Sequence, residues 1–191
     1  MTKRIPYLFL EGVEVLPGRF RNFAGRKDQY NKAGDRNFNV ILTDASDMSY
    51  ETGNERNPYR QVSIQDLIDD GWNIRLMKPR DNDDPDEPKR YKLNIKVDFE
   101  IPKTINSIPK PVLVLHSGRK ETVLDEETVE TLDYADYNVM DLTVRPRLWT
   151  DDKTGERKIK AYLGEGHVVI RPSRWADKYK REEDDGDDLP F

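Results

Sequence analysis

The chain has 191 residues, of which 36% are charged and 35% hydrophobic, and it contains no cysteine. This length fits one domain with a short extension, and the lack of cysteine excludes disulfides, thiolate metal sites and a cysteine nucleophile. No apolar run approaches the roughly 20 residues of a membrane-spanning helix, and the first residues show no secretory signal, so we expect a cytoplasmic protein.

Most predicted elements are β-strands, because apolar residues recur at every second position. In Tyr91–Phe99, the clearest case, apolar side chains point one way and Lys92, Asn94, Lys96 and Asp98 the other. The strands predicted, in chain order, are Leu8–Leu16, Arg19–Phe23, Asn37–Thr43, Trp72–Lys78, Tyr91–Phe99, Val112–His116, Met140–Val144, Ile159–Leu163 and Val168–Arg171.

Two short helices are predicted between the strands. Ser63 can cap Ile64–Asp70, with Gly71 as the stop after it, and Asp125 can cap Glu126–Tyr134. This inventory predicts a mainly β fold, either a small antiparallel barrel or a sandwich, and an elaborated OB-fold accommodates it best. We expect residues 1–178 to form this OB-fold-like domain.

Basic and aromatic residues are interleaved in two places. Residues 19–36 hold six Lys or Arg against two Asp, and a second group flanks the turn signal at Asp152–Gly155. Cations for phosphates beside rings for unstacked bases are typical of a sequence-tolerant site for single-stranded DNA. The predicted DNA contacts are Arg19, Arg21, Phe23, Arg26, Lys27, Tyr30, Lys32, Arg36 and Phe38, and then Arg147, Trp149, Lys158, Lys160 and Tyr162.

Other interpretations of these residues remain open. Phe20 and Phe23 could instead be core residues, since any half-exposed strand has Lys or Arg on one face and apolar residues on the other. Trp72 and Arg75 are weaker candidates for DNA contact.

Signatures of catalysis are weak. His116 and His167 lack metal-ligand spacing, and neither a dinucleotide fingerprint nor a phosphate-binding loop occurs. We therefore predict no enzymatic activity, no cofactor and no metal. A metal-dependent nuclease using Asp98, Glu100 and Lys103 is one alternative, and a protein-interaction module that does not bind DNA is another.

The C-terminus carries a concentrated negative charge that ends in apolar residues. Residues 182–191 hold six acids and no Lys or Arg, and the other 181 residues hold 31 acids against 32 Lys and Arg. We expect residues 179–191 to be a disordered tail. A terminal ring suits docking, because its burial and a clamped carboxylate would both stabilise a complex.

The terminal sequence Asp187-Asp-Leu-Pro-Phe191 resembles the C-terminal tip of bacterial single-stranded-DNA-binding proteins. The rest of the chain is similar instead to bacteriophage-encoded single-stranded-DNA-binding proteins, which combine a divergent OB-fold with an acidic tail. The resemblance implies sequence-nonspecific binding of single-stranded DNA in replication, recombination or repair, and leaves the oligomeric state open. It also implies that the tail recruits partner enzymes; the predicted partner contacts are Asp184, Asp185, Asp187, Asp188, Leu189, Pro190 and Phe191.

Overall fold

A computed structural model describes residues 5–80, 84–99 and 110–171. In that part of the chain, no helix has the length and apolar character needed to cross a bilayer. Among the described residues there is one α-helix, α1, at Ile64–Asp70, and 3-10 turns span Gly18–Phe20 and Val129–Asp133. The strands are β1 (Leu8–Val15), β2 (Arg21–Asn22), β3 (Arg36–Leu42), β4 (Asp47–Glu51), β5 (Tyr59–Gln61), β6 (Ile74–Leu76), β7 (Tyr91–Val97), β8 (Val112–Ser117), β9 (Lys120–Leu124), β10 (Val139–Thr150) and β11 (Arg157–Val169).

Five strands close into a barrel in the order β1-β3-β7-β11-β10 and back to β1. The β3–β7, β11–β10 and β10–β1 pairs are antiparallel, whereas β7 and β11 run parallel. The barrel closes where Glu14 and Val15 of β1 pair with Ile41 and Val40 of β3. The predicted mainly β, OB-fold-like barrel is therefore confirmed.

The remaining strands extend this barrel. The β4–β5 pair continues from β1, β6 pairs with the first half of β7, and the β8–β9 hairpin joins the second half of β11. Because side chains alternate along a strand, one face of each barrel strand fills the interior while the other faces outward. Core residues include Phe38, Val40 and Leu42 of β3, Leu93, Ile95 and Val97 of β7, and Ile159, Ala161 and Leu163 of β11.

Helix α1 has the predicted ends. The Ser63 hydroxyl accepts a hydrogen bond from the Asp66 backbone N–H, and the Asp66 carboxylate accepts one from the Ser63 N–H. The left-handed backbone of Gly71 (φ 96°) ends the helix, and its position against the Arg157 carbonyl leaves little room for a side chain.

Several predicted boundaries are wrong for identifiable reasons. Gly18 adopts φ 65° and starts a 3-10 turn, so the strand predicted at Arg19–Phe23 shrinks to β2. The helix predicted at Glu126–Tyr134 is a shorter 3-10 segment. Its entry is held by the Asp125 carboxylate, which accepts hydrogen bonds from the backbone N–H groups of Glu127 and Thr128.

Elsewhere the structure joins, adds or shortens predicted strands. The predicted strands at Ile159–Leu163 and Val168–Arg171 form one strand, β11, through Gly164 and Gly166. A Cβ at Gly166 would lie 2.7 Å from Leu113 Cδ2, so glycine there permits close packing rather than a break. The predicted strand at Trp72–Lys78 is only β6, and β4, β5 and β9 were not predicted. The boundary at residue 178, the tail at 179–191, Glu100 and Lys103 lie outside the described residues.

Candidate nucleic-acid interface

The outward-facing sides of β3, β7, β11 and β10 form one continuous polar surface, called here the outer face. Paired residues lie side by side on the same face of a sheet, so the register determines which side chains meet. Across the face, Asn37 pairs with Lys96, and Lys96 lies beside Tyr162. The face continues where Tyr162 pairs with Arg145, Lys160 with Arg147, and Lys158 with Trp149.

A groove of about 1210 Å³ runs between the outer face and the loop at residues 28–35. Its floor is formed by Asn37, Asn39, Lys92, Asn94 and Lys96, and its walls include Arg19, Phe20, Tyr30, Arg36, Arg75 and Tyr162. The groove is therefore lined by amides, cations and rings.

The acidic residues beside the groove are mostly committed to intramolecular contacts. Asp28 accepts hydrogen bonds from the Tyr30 and Asn31 backbone N–H groups, and Asp35 accepts one from that of Lys32. Glu126 Oε1 lies 3.2 Å from Arg36 Nη1. These contacts shape the loop and partly neutralise Arg36, while Arg75, Lys92 and Lys96 contribute positive charge along the groove.

The β10–β11 hairpin pairs each outward ring with a cation. Lys160 Nζ lies 4.5 Å from the centre of the Trp149 ring, and the Arg147 guanidinium lies 5.4 Å from that of Tyr162. Phe20, at the groove wall, has Arg19 at 5.0 Å and Lys92 at 5.5 Å. A ring can stack on a base while its neighbouring cation contacts the adjacent phosphate.

Two side-chain donors beside this surface are buried and unsatisfied. Among the described residues, Trp149 Nε1 and Arg36 Nε have no hydrogen-bond partner. Unpaired buried donors are rare in folded proteins.

Phe23 and Phe38 are not available to DNA, which corrects the prediction for these two rings. Both are fully buried, and their rings stack on each other with centroids 5.0 Å apart. For Phe23 the alternative interpretation as a core residue is therefore the right one. Sequence alone did not show that the residue faces inward.

Arg21 lies off the groove and is engaged in intramolecular contacts, which corrects its predicted role, whereas Arg26 is exposed outside the groove and its contact with DNA stays a prediction. The Arg21 guanidinium stacks 4.0 Å from the Tyr137 ring centre and donates to the Leu16 and Tyr137 carbonyls. Arg26 Nη2 hydrogen-bonds the Tyr134 hydroxyl. The segment around the second 3-10 turn thus packs against the basic residues 21–26.

The other predicted DNA contacts divide by position. Arg19, Tyr30, Arg36 and Tyr162 line the groove, and Tyr30 is 84% exposed. Lys27 and Lys32 are exposed on the loop but do not line the groove. Arg147, Trp149, Lys158 and Lys160 share the outer face on the hairpin, as their spacing predicted.

Sequence analysis did not assign the groove floor to DNA. Asn37, Asn39, Lys92, Asn94 and Lys96 were missed, and Arg75 was only a weak candidate. The signal was present, because Lys92, Asn94 and Lys96 are the polar positions of the most regular strand. The sequence pattern did not show that the polar residues Asn37 and Asn39 of β3 lie beside them.

The two histidines lie side by side outside the groove. His116 Nε2 and His167 Nδ1 are 3.0 Å apart, and Glu165 lies 2.7 Å from His167 Nε2. Within residues 5–80, 84–99 and 110–171, no group of three or more His, Cys, Asp or Glu side chains is arranged to hold a metal ion.

A closed barrel with a cationic, ring-bearing groove across its central strands is the architecture of oligonucleotide-binding OB-folds. The family model described as "Putative phage ssDNA-binding domain" matches residues 1–188, and the chain belongs to this family. It is thus a phage-type single-stranded-DNA-binding protein, as the sequence predicted.

One solved structure to which the chain is similar is gp2.5, described as a single-stranded DNA binding protein encoded by bacteriophage T7. Its similarity has a TM-score of 0.38 with 10% sequence identity, covering 96% of this chain and 98% of that chain. Among curated protein sequences, none matches this chain. The family is described by its binding of single-stranded DNA.

Proposed function

We propose that this protein coats single-stranded DNA without sequence preference, and that the strand follows the outer face from the groove to the β10–β11 hairpin. The observation that carries this proposal is the continuity of the face. Register places the amides and lysines of β3 and β7 next to the ring–cation pairs of β10 and β11.

Phosphate contacts would supply much of the affinity. Lys92, Lys96 and Lys160 lie on neighbouring strands of one surface, and Arg75 pairs with Lys92 at its margin. Each phosphate neutralised on a single strand makes the slope of log K against log salt more negative by about 0.7. Binding should therefore weaken steadily as salt rises.

Stacking would supply the rest. Trp149, Tyr162, Phe20 and Tyr30 offer ring faces at the hairpin, wall and loop, and each stacked base contributes about 1–3 kcal/mol. Every base has a π-face, so this contribution does not depend on sequence.

The same proposal assigns the protein no catalytic step. Its role would be to protect exposed strands in the cytoplasm of a bacterial host during phage replication, recombination or repair. Incubating labelled single-stranded and duplex DNA with the protein and Mg²⁺ or Mn²⁺ tests this; cleavage lost in Asp98→Ala would overturn it.

The acidic C-terminal residues would recruit partner enzymes. The support is sequence alone: six acids in residues 182–191 precede the apolar end Leu189-Pro-Phe191. Deleting Phe191 should abolish pull-down of replication or repair proteins while leaving strand affinity unchanged. Equal pull-down by both chains would contradict recruitment through the tip.

A titration with oligothymidylate, followed by tryptophan fluorescence, tests the DNA-binding surface. Quenching that weakens with salt is expected for the intact protein. Exchanging Lys92 and Lys96 for Gln should reduce both the affinity and its salt dependence. Unchanged binding in this variant would exclude the groove as the DNA site.

A further inference from the structure

The floor of the groove contains a connected row of side-chain amides. Asn94 Nδ2 donates to Asn37 Oδ1 at 3.1 Å and to Asn39 Oδ1 at 3.2 Å. Asn37 Nδ2 donates to Asn31 Oδ1 at 2.7 Å, and Asn31 Nδ2 donates to Asp28 Oδ2 at 2.9 Å. Asn94, Asn37, Asn31 and Asp28 are called here the asparagine relay.

The carboxylate at the end of the relay sets its direction. Hydrogen bonds from the Asn31 side chain and the Tyr30 backbone hold the pKa of Asp28 below its usual range, so this group is ionised at neutral pH and can only accept. Asn31 must then donate to Asp28 and accept from Asn37, and Asn37 must accept from Asn94. A second branch agrees, because Asn39 donates to the Phe20 backbone carbonyl, which also can only accept.

This direction determines what Asn94 presents to the groove. Both Nδ2 hydrogens of Asn94 are donated to β3, so the side chain offers a ligand its carbonyl oxygen. Asn94 is exposed between Lys92 and Lys96, whereas Asn39 is only 7% exposed. The groove therefore holds a pre-oriented acceptor flanked by two cations.

We propose that Asn94 Oδ1 accepts a hydrogen bond from the Watson–Crick edge of an unpaired base, and that this contact helps the protein select single strands. The inference rests on the proposed function, since it requires DNA in this groove. Thymine N3–H, guanine N1–H and the amino groups of adenine and cytosine are all donors on that edge. In a duplex these donors are bonded to the opposite strand, so one acceptor tolerates all four bases yet disfavours paired ones.

The direct test compares two oligonucleotides of equal length, oligothymidylate and the same chain built from N3-methylthymidine. The methyl group removes the donor and leaves the ring, sugar and phosphates in place. The intact full-length protein should bind oligothymidylate about 2- to 10-fold more tightly for each contacted base, the effect of one hydrogen bond. Equal affinities would overturn the proposal.

Two variants separate the base contact from the groove itself. In Asn94→Leu the preference for oligothymidylate should fall to about one, because the Asn94 oxygen is removed; a retained preference would overturn the proposal. Lys96→Gln should weaken the binding of both oligonucleotides by the same factor, so that the preference for oligothymidylate is kept. If neither variant alters binding of either oligonucleotide, the groove is not the DNA site, and the proposed function fails at this location as well.

A third variant tests the relay at a distance and covers the case in which Asn94→Leu fails to fold. Asp28→Asn replaces the acceptor at the end of the relay by an amide that can also donate, so the orientation of Asn94 is no longer fixed. Removal of a negative charge should tighten binding of both oligonucleotides, while the preference between them decreases. An unchanged preference would show that Asp28 does not position Asn94.

Discussion

Trp149 combines the features that a base-stacking residue needs. Trp149 lies on the outer face, and the Nζ of Lys160 lies 4.5 Å from the centre of the Trp149 ring. We expect Trp149→Ala to weaken binding of oligothymidylate by about 1–3 kcal/mol, the contribution of one stacked base. Equilibrium titration at fixed salt measures this.

Fluorescence gives a matched control for that experiment. Trp72 is buried and donates a hydrogen bond to the Tyr50 hydroxyl, so it is screened from DNA. Trp149→Phe should reduce the quenching caused by oligothymidylate, whereas Trp72→Phe should leave it unchanged. The reverse pattern would place the DNA elsewhere.

With DNA in the groove, we expect Glu126 to compete with phosphate for Arg36. The two side chains form an ion pair at 3.2 Å at the wall of the groove, and Glu126 is half-exposed. Glu126→Gln should tighten DNA binding and steepen the salt slope by about 0.7, because one more cation becomes available. Glu127→Gln removes the same charge from the next, exposed residue; an equal effect there would contradict a specific role for the pair.

Helix α1 depends on its capping box. Both Ser63 and Asp66 make the reciprocal hydrogen bonds that satisfy the first turn. Ser63→Ala should lower the free energy of unfolding by about 0.5–2 kcal/mol, while Ser63→Asn, which can still cap, should lower it far less. Urea unfolding of the two variants measures this, and equal losses would contradict capping as the cause.

Elements with a local signal could be predicted from the sequence. Strict alternation marked β7, Ser63 and Gly71 marked both ends of α1, and the turn at Asp152–Gly155 fixed the hairpin and hence the shared face of Arg147 and Lys160. By contrast, β5 consists of three exposed residues, so no apolar alternation marks it, and it pairs with β4, which was not predicted either.

The site was harder to predict than the fold because burial is a tertiary property. Phe23 and Phe38 sit among arginines in the sequence, yet Phe38 points inward from β3 and Phe23 is buried in the turn after β2. Arg21 was predicted to bind DNA but packs on Tyr137, which is 116 residues away along the chain. The groove floor needed β3 and β7 side by side, and only the register of the barrel supplies that.

At the scale of the whole molecule, several turns depend on ionised aspartates. Hydrogen bonds lower the pKa of Asp28, Asp66, Asp125 and Asp151 below the ordinary value of 3.8. A carboxyl with a lowered folded pKa stabilises the protein above its unfolded pKa and loses that effect as pH falls through the folded value.

We therefore expect the free energy of unfolding to fall as the pH drops below about 4. Urea unfolding at pH 7 and pH 3 measures this. Asp125→Asn should be less stable than the parent at pH 7 and closer to it at pH 3. A constant gap at both pH values would show that the Asp125 charge has no role.

The location of DNA on the outer face is tested most directly by the salt dependence of binding in two charge-matched triple variants. One replaces Lys92, Lys96 and Lys160 by Gln, and the other replaces Arg56, Lys110 and Lys120, which are exposed and lie outside the groove. The first should reduce the steepness of the negative slope of log K against log salt by about 2, and the second should leave it nearly unchanged. Equal reductions in both variants would contradict binding along the outer face.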